Sequence, residues 1–263
     1  MTMLLIGSLV GIFITSSGII VVADTAATQT ARPGVVTSER KIEITGDRSA
    51  VAITGNGGWD VVTGDGRRIV ADLHGVVRRV AAELRGAKNI SAAIQVERLV
   101  VAAKHEAESK AFPFMEAAFP DQDILSVNVA GYDDGPPVIR HAKLRLDKTS
   151  PGTPTRFVVE RSPEERCWLL SGYTQVALGL IDDDARLPNA LRGAASVVIF
   201  RRYRQLCDGT LSEVHARAFF LAAVNATVAH GAKFGIPNGS VGGDVDVLRI
   251  TKNGADPIER VRR

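Results

Sequence analysis

The stretch from Met3 to Ala23, MLLIGSLVGIFITSSGIIVVA, decides how the rest of this sequence is read. It carries no charge, and the first charged residue of the chain is Asp24. As a helix it is long enough to span a bilayer, and its apolar character also fits the core of an export signal. Its residues favour strands instead. An export signal opens on positive charge, and no Lys or Arg precedes this run. Ile and Val are frequent in it, and Thr15-Ser16-Ser17-Gly18 at its centre is turn chemistry. The expectation is a hairpin of Leu9 to Thr15 and Ile19 to Ala23. It would be apolar on both faces because both faces are covered. An exported or membrane-anchored protein with residues 1–23 as targeting segment is the alternative.

Outward from the hairpin, Lys41 to Ile44 and Ser49 to Thr54 read as strands, followed by the breaker Gly55-Asn56-Gly57-Gly58. Ile69, Val70, Leu73, Val76, Val77, Val80 and Leu84 recur at helical spacing, which predicts a helix from Arg67 to Leu84 closed by Gly86. Ser91 can cap a second helix reaching Glu108. Strands follow at Ile124 to Ala130, Val138 to Leu146, Phe157 to Val159 and Trp168 to Leu170. Helices are expected from Tyr173 to Asp182 and from Ser212 to His230. Val245 to Thr251 alternates as a last strand. Strands grouped with strands and helices with helices exclude an alternating parallel-sheet fold. The fold class is α+β: two antiparallel sheets stacked face to face with a helix pair outside each, in one domain.

Composition narrows the function. The chain has 263 residues, 45% hydrophobic and 23% charged, with a formal net charge of +3. That excludes disorder and a polytopic membrane protein, and so small a surplus predicts no nucleic-acid surface. Cys167 and Cys207 make no zinc cluster and read as two buried thiols, with a single bridge between them as the alternative. No GxxxxGK[ST], GxSxG, HExxH or CxxC occurs. No cofactor and no metal are expected. His74, His105, His215 and His230 read as surface or helix-end imidazoles. Asp182-Asp183-Asp184 lacks the rest of a calcium loop, and Arg201-Arg202-Tyr203-Arg204 reads as a solvated basic run.

Several segments, taken together, carry a resemblance. Gly7-Ser8-Leu9-Val10-Gly11-Ile12 is followed by Gly18-Ile19-Ile20-Val21-Val22-Ala23-Asp24 and the small residues Thr25-Ala26-Ala27-Thr28. Then come Lys41-Ile42-Glu43-Ile44, Ala52-Ile53-Thr54-Gly55, Leu170-Ser171-Gly172-Tyr173 and Gly242-Gly243-Asp244-Val245-Asp246-Val247. In this order they resemble the proteasome β-type subunits, members of the N-terminal-nucleophile hydrolases, as a divergent bacterial-type member. The resemblance implies a four-layer αββα sandwich, the N-terminal-nucleophile hydrolase fold. It also implies a nucleophile that becomes the first residue of the mature chain. There its own α-amine, with a pKa near ~8, serves as the base a hydroxyl needs. By the resemblance that residue is Ser8, with residues 1–7 a short leader and 8–263 one proteasome-like domain.

The resemblance further implies a buried pair between Asp24 and a lysine. The family's separation from the aspartate lands on Arg40 and its basic-then-apolar pattern on Lys41. Only a lysine can shift its pKa into a working range, which selects Lys41. Gly55 would offer its N–H to the oxyanion, and Ser171 would hydrogen-bond near the α-amine. The family's aspartate near the last strand has no clear counterpart, and Asn238 stands about there. The implied function is cleavage of peptide or protein substrates at amide bonds, in the cytoplasm. Export is the alternative if residues 1–7 belong to a truncated signal peptide, and a membrane partner is not expected. A non-catalytic subunit of the same fold is the alternative in function. A homo-oligomer, dimer or ring, is expected in either case. Val76, Val77, Val80, Ala81 and Leu84, with Val101 on the next helix, exceed the ~100° stripe that one sheet contact uses.

Overall fold

Strands β2 (Leu9–Thr15) and β3 (Gly18–Asp24) pair antiparallel from Val10 opposite Ala23 to Thr15 opposite Gly18, which makes the apolar stretch a hairpin. The computed structural model describes residues 2–4, 9–28, 36–55, 57–87, 90–110, 123–147, 156–162, 167–172, 210–230 and 241–262. Among them no helix is long and apolar enough to cross a membrane. The hairpin's apolar character follows from its place. β13 (Trp168–Gly172) flanks β2, and β14 (Val245–Thr251) flanks β3. Short β15 (Gly254–Ala255) and β16 (Glu259–Val261) extend that sheet. Leu9, Phe13, Ile20 and Val22 point to one core, with Phe219, Phe220 and Val224 of helix α3 (Glu213–His230). Val10, Ile12, Ile19, Val21 and Ala23 point to the other, toward the second sheet. With both faces buried, the period-two alternation of apolar and polar residues disappears. A Cβ at Gly11 would lie 2.8 Å from Phe220 Cδ2, so glycine there lets α3 seat on β2.

The second sheet runs β12 (Arg156–Arg161), β11 (Pro137–Asp147), β10 (Asp123–Tyr132), β7 (Ser49–Gly55), β6 (Ile42–Gly46). Its inner face is small, with Ala50, Ala52 and Ala130 meeting the branched side chains of the hairpin. Its outer face carries Val51, Ile53, Leu125, Val127 and Leu144 under helices α1 (Leu73–Arg85) and α2 (Ala92–Ser109). Asp72 caps α1 by accepting from Gly75 N, and Ser91 caps α2 from Ile94 N. The layers are therefore helix, sheet, sheet, helix, as the sequence predicts.

Four expectations change. The helix predicted from Arg67 begins at Leu73 instead. Ile69 and Val70 belong to β9 (Arg68–Asp72), which pairs with β8 (Gly58–Val62). β-branched residues fit either period over so short a run, and the Asp72 cap decides where the helix starts. Second, Val77, Ala81 and Leu84 lie in the core between α1 and the sheet, so they offer no surface to a second subunit. Among the described residues, the large apolar side chains that α1 and α2 expose are Ile94 and Val101, both of α2. Third, His74 is buried rather than superficial. Fourth, Cys167 is disulfide-bonded and not a thiol. The helix expected at 173–182, the acidic cluster 182–184 and the basic run 201–204 lie outside the described residues, as do Cys207 and Asn238.

Candidate active site

Asp24 ends β3, and its carboxylate is completely buried. An isolated charge there would be costly, and three donors enclose it. Leu9 N donates to Oδ1 at 2.7 Å, Lys41 Nζ to Oδ1 at 2.8 Å, and Gly242 N to Oδ2 at 2.9 Å. Lys41 is equally buried and also donates to Ala26 O at 2.7 Å. Burial pulls the Lys41 ammonium below the ordinary lysine value, against the opposing charges of Asp24, Glu39 and Asp246. Burial pushes Asp24 up, against Lys41 and the two backbone N–H groups. Both directions make proton movement within the pair easier than in water. Leu9 N is the peptide nitrogen that joins Ser8 to β2. The pair therefore grips the chain one residue past the predicted nucleophile. Ser8 itself lies outside the described residues.

The chain on either side of the pair is held as closely. Short strands β4 (Ala26–Thr28) and β5 (Val36–Ser38) pair, and Glu39 N donates to Thr25 O at 2.8 Å. This ties the residue after Asp24 to the approach to Lys41. Helix α1 clamps the approach from outside. Arg78 donates to the Glu39 carboxylate and, at 2.8 Å, to Arg40 O, and His74 Nδ1 lies 3.3 Å from Glu39 Oε1. Arg40 is exposed and Lys41 is buried beside Asp24, so of the two candidates it is Lys41 that meets the carboxylate.

Burial alone would raise Glu39. The hydrogen bond and charge of His74 and the Arg78 guanidinium overcome that and hold it down, from 4.5 to about 2. Its folded value thus lies below its unfolded one. The stabilisation it gives is present above pH ~4.5 and is lost as pH falls toward ~2. Over that window Glu39 is expected to contribute on the order of 3 kcal/mol. Glu39→Gln should flatten the acid limb of a melting-temperature profile. A limb identical to the parent's would show that Glu39 does not carry it.

Gly55 ends β7 with φ +106°, and a Cβ there would lie 2.4 Å from Ile124 O, so only glycine fits. Beside it, Thr54 Oγ1 is 2.6 Å from Ser171 Oγ. Thr54 belongs to one sheet and Ser171, opposite Val10 in β13, to the other, so this buried contact ties the layers. The structure thus brings Asp24 and Lys41 into direct contact, and Ser171 into contact with the residue before Gly55. Thr54, Gly242, the Ala26 carbonyl and the Glu39–His74–Arg78 clamp were not foreseen. An acidic residue two before the lysine was the available signal for the clamp. The polar lining of the Asp24 shell is mostly backbone, which leaves no mark in a sequence. Among the described residues, no three His, Cys, Asp or Glu side chains gather as a metal site would require.

The sequence matches no protein-family model and no curated protein. The three-dimensional likeness is more informative. The Gly-1 mutant of Anbu from Hyphomicrobium sp. strain MC1 superposes with TM-score 0.54 at 11% identity, covering 97% of this chain and 88% of that one. The helical assembly of the Anbu complex from Pseudomonas aeruginosa gives 0.56 at 15% identity, covering 97% and 87%. The fold is that of the N-terminal-nucleophile hydrolases. The narrower resemblance to proteasome β-type subunits is corrected by these neighbours. Both are Anbu, a proteasome-like family of the same superfamily, and at such identities the likeness is one of fold.

Proposed function

We propose that this chain is an N-terminal-nucleophile peptidase that cleaves amide bonds through Ser8. The observation carrying the reading is the fully buried Lys41–Asp24 pair bonded to the Leu9 peptide nitrogen. A buried ion pair contributes little to stability by itself. One that holds the peptide nitrogen directly after a serine has a chemical use. In this reading, residues 1–7 are a leader, 8–263 form one domain, and processing frees the Ser8 α-amine. The amine takes the hydroxyl proton as Oγ adds to the substrate carbonyl carbon. Lys41 lowers the energy of the developing alkoxide, and Gly55 N–H serves the oxyanion. Collapse of the tetrahedral intermediate expels the amine product carrying that proton and leaves an ester on Oγ. Water then hydrolyses the ester with the same amine as base. Thr54 and Ser171 hold the two sheets in register around the reacting centre.

The same chain is proposed to self-associate. The Pseudomonas aeruginosa Anbu was determined as a helical assembly, and here Ile94 and Val101 stand exposed on the outer helix layer. Purified protein tests both points. Intact mass should show loss of Met1 to Gly7 with Ser8 as the new terminus, and light scattering should give a mass above 28 kDa. Folded, assembled protein that keeps residues 1–7 and hydrolyses no peptide would overturn the peptidase and leave a structural subunit.

A further inference from the structure

Residues 2–4 form a strand, β1 (Thr2–Leu4), which pairs antiparallel with β8. Thr2 stands opposite Asp60, Met3 opposite Trp59 and Leu4 opposite Gly58. The other edge of β8 belongs to β9. This hairpin is firmly seated. Trp59 is 5% exposed and stacks on Phe157, with ring centroids 6.5 Å apart and planes within 6°. Its indole N–H donates to Lys110 O at 3.2 Å. At its base, Gly57 O accepts from Leu73 N and His74 N, the first residues of α1. A Cβ on Gly58 would meet Ala71 O at 1.9 Å. The β8 edge is thus a fixed ledge that starts three residues beyond Gly55.

The direction of β1 is the informative part. From Thr2 to Leu4 its partners run from Asp60 back to Gly58, toward Gly55. A peptide laid this way has its N-terminal portion on β8 and its C-terminal portion heading for the candidate oxyanion donor. That is the polarity in which residues upstream of a scissile bond approach the nucleophile. Counted back from the Gly7–Ser8 bond, Leu4, Met3 and Thr2 are the fourth, fifth and sixth residues upstream.

We infer that the β8 edge is a binding ledge for extended peptide. It takes residues four to six positions before the scissile bond by strand addition, and residues 2–4 of the chain itself occupy it until processing. The inference rests on the peptidase reading above and adds to it the class of substrate: unfolded segments that reach at least six residues upstream of the cut. Main-chain hydrogen bonds carry such binding, so it tolerates varied sequence. Short peptides that end before the ledge forgo these bonds.

The test uses the chain beginning at Ser8 and the synthetic hexapeptide Thr-Met-Leu-Leu-Ile-Gly, with binding read calorimetrically and by tryptophan fluorescence. Saturable binding is expected. Only alternate residues of an antiparallel strand turn their N–H toward a given neighbour. Methylating the Met3 nitrogen or the Leu4 nitrogen should therefore weaken binding unequally, by about tenfold in one case and little in the other. Absence of saturable binding, or equal weakening by both methyl groups, overturns the ledge. Binding with the expected alternation but no hydrolysis of any peptide upholds the ledge and removes the peptidase. Hydrolysis whose KM ignores residues four to six upstream removes the ledge and leaves the peptidase.

Discussion

Ser8→Ala is expected to lower peptide hydrolysis by at least about a thousandfold while the protein folds as before. Removing a nucleophile from a covalent mechanism leaves only what substrate positioning and oxyanion stabilisation supply. Removing one small hydroxyl costs about 1 kcal/mol or less in stability. The two readouts therefore separate widely. If processing is self-catalysed, the same variant keeps residues 1–7, which intact mass reports directly. Activity equal to the parent's in a variant of unchanged melting temperature would remove Ser8 from the mechanism. Ser8→Cys is the informative companion, since a thiol can take over the same attack with its own proton affinity.

Lys41→Ala is expected to destabilise the fold by about 3–5 kcal/mol, the usual result of stranding one member of a buried ion pair. Asp24 keeps its bonds from Leu9 N and Gly242 N, yet loses the charge that matches its own. Asp24→Asn combined with Lys41→Met removes both charges and should recover most of that loss, while staying as inactive as either single change. Chemical denaturation of the three variants measures this. A Lys41→Ala protein that unfolds at the parent's midpoint would show that the pair is reached by water. Arg40→Ala is the matched control. Its side chain is exposed, and it should leave both stability and hydrolysis within small changes, unlike its neighbour.

The layer order was readable from Leu9–Asp24 because a hairpin with both faces apolar has few homes other than the middle of a sandwich. The pairing of Asp24 with a lysine was readable only through the family resemblance, whose basic-then-apolar pattern favoured Lys41 over Arg40. The hairpin of β8 and β9 was not, since Ile69 and Val70 continue the helical spacing of Leu73 and Val77 without a break. Only Asp72, whose side chain takes the Gly75 N–H, marks the change of period. His74 was misjudged for a related reason. It stands one residue inside the start of α1, beside buried Leu73, and the partner that receives it, Glu39, comes from a segment 35 residues away. Of the residues expected at a subunit interface, Val77, Ala81 and Leu84 of the first helix turn inward, whereas Val101 of the second is exposed. Helical spacing tells which residues share a face, but the sheet beneath decides which face is inward.

The hydrogen bond from Gly242 to Asp24 joins residues 218 positions apart. Contacts of such separation form late, because the intervening chain must first be ordered. During synthesis the N-terminal hairpin leaves the ribosome early, with its aspartate lacking one of its three donors. The shell around the carboxylate closes only after translation has passed residue 242 and β14 has docked on β3. Under the proposed self-processing, this topology would act as a timer. The proposed cutting machinery would mature only after residue 242 has been made and β14 has docked, so a shorter nascent fragment would be spared from self-inflicted cleavage.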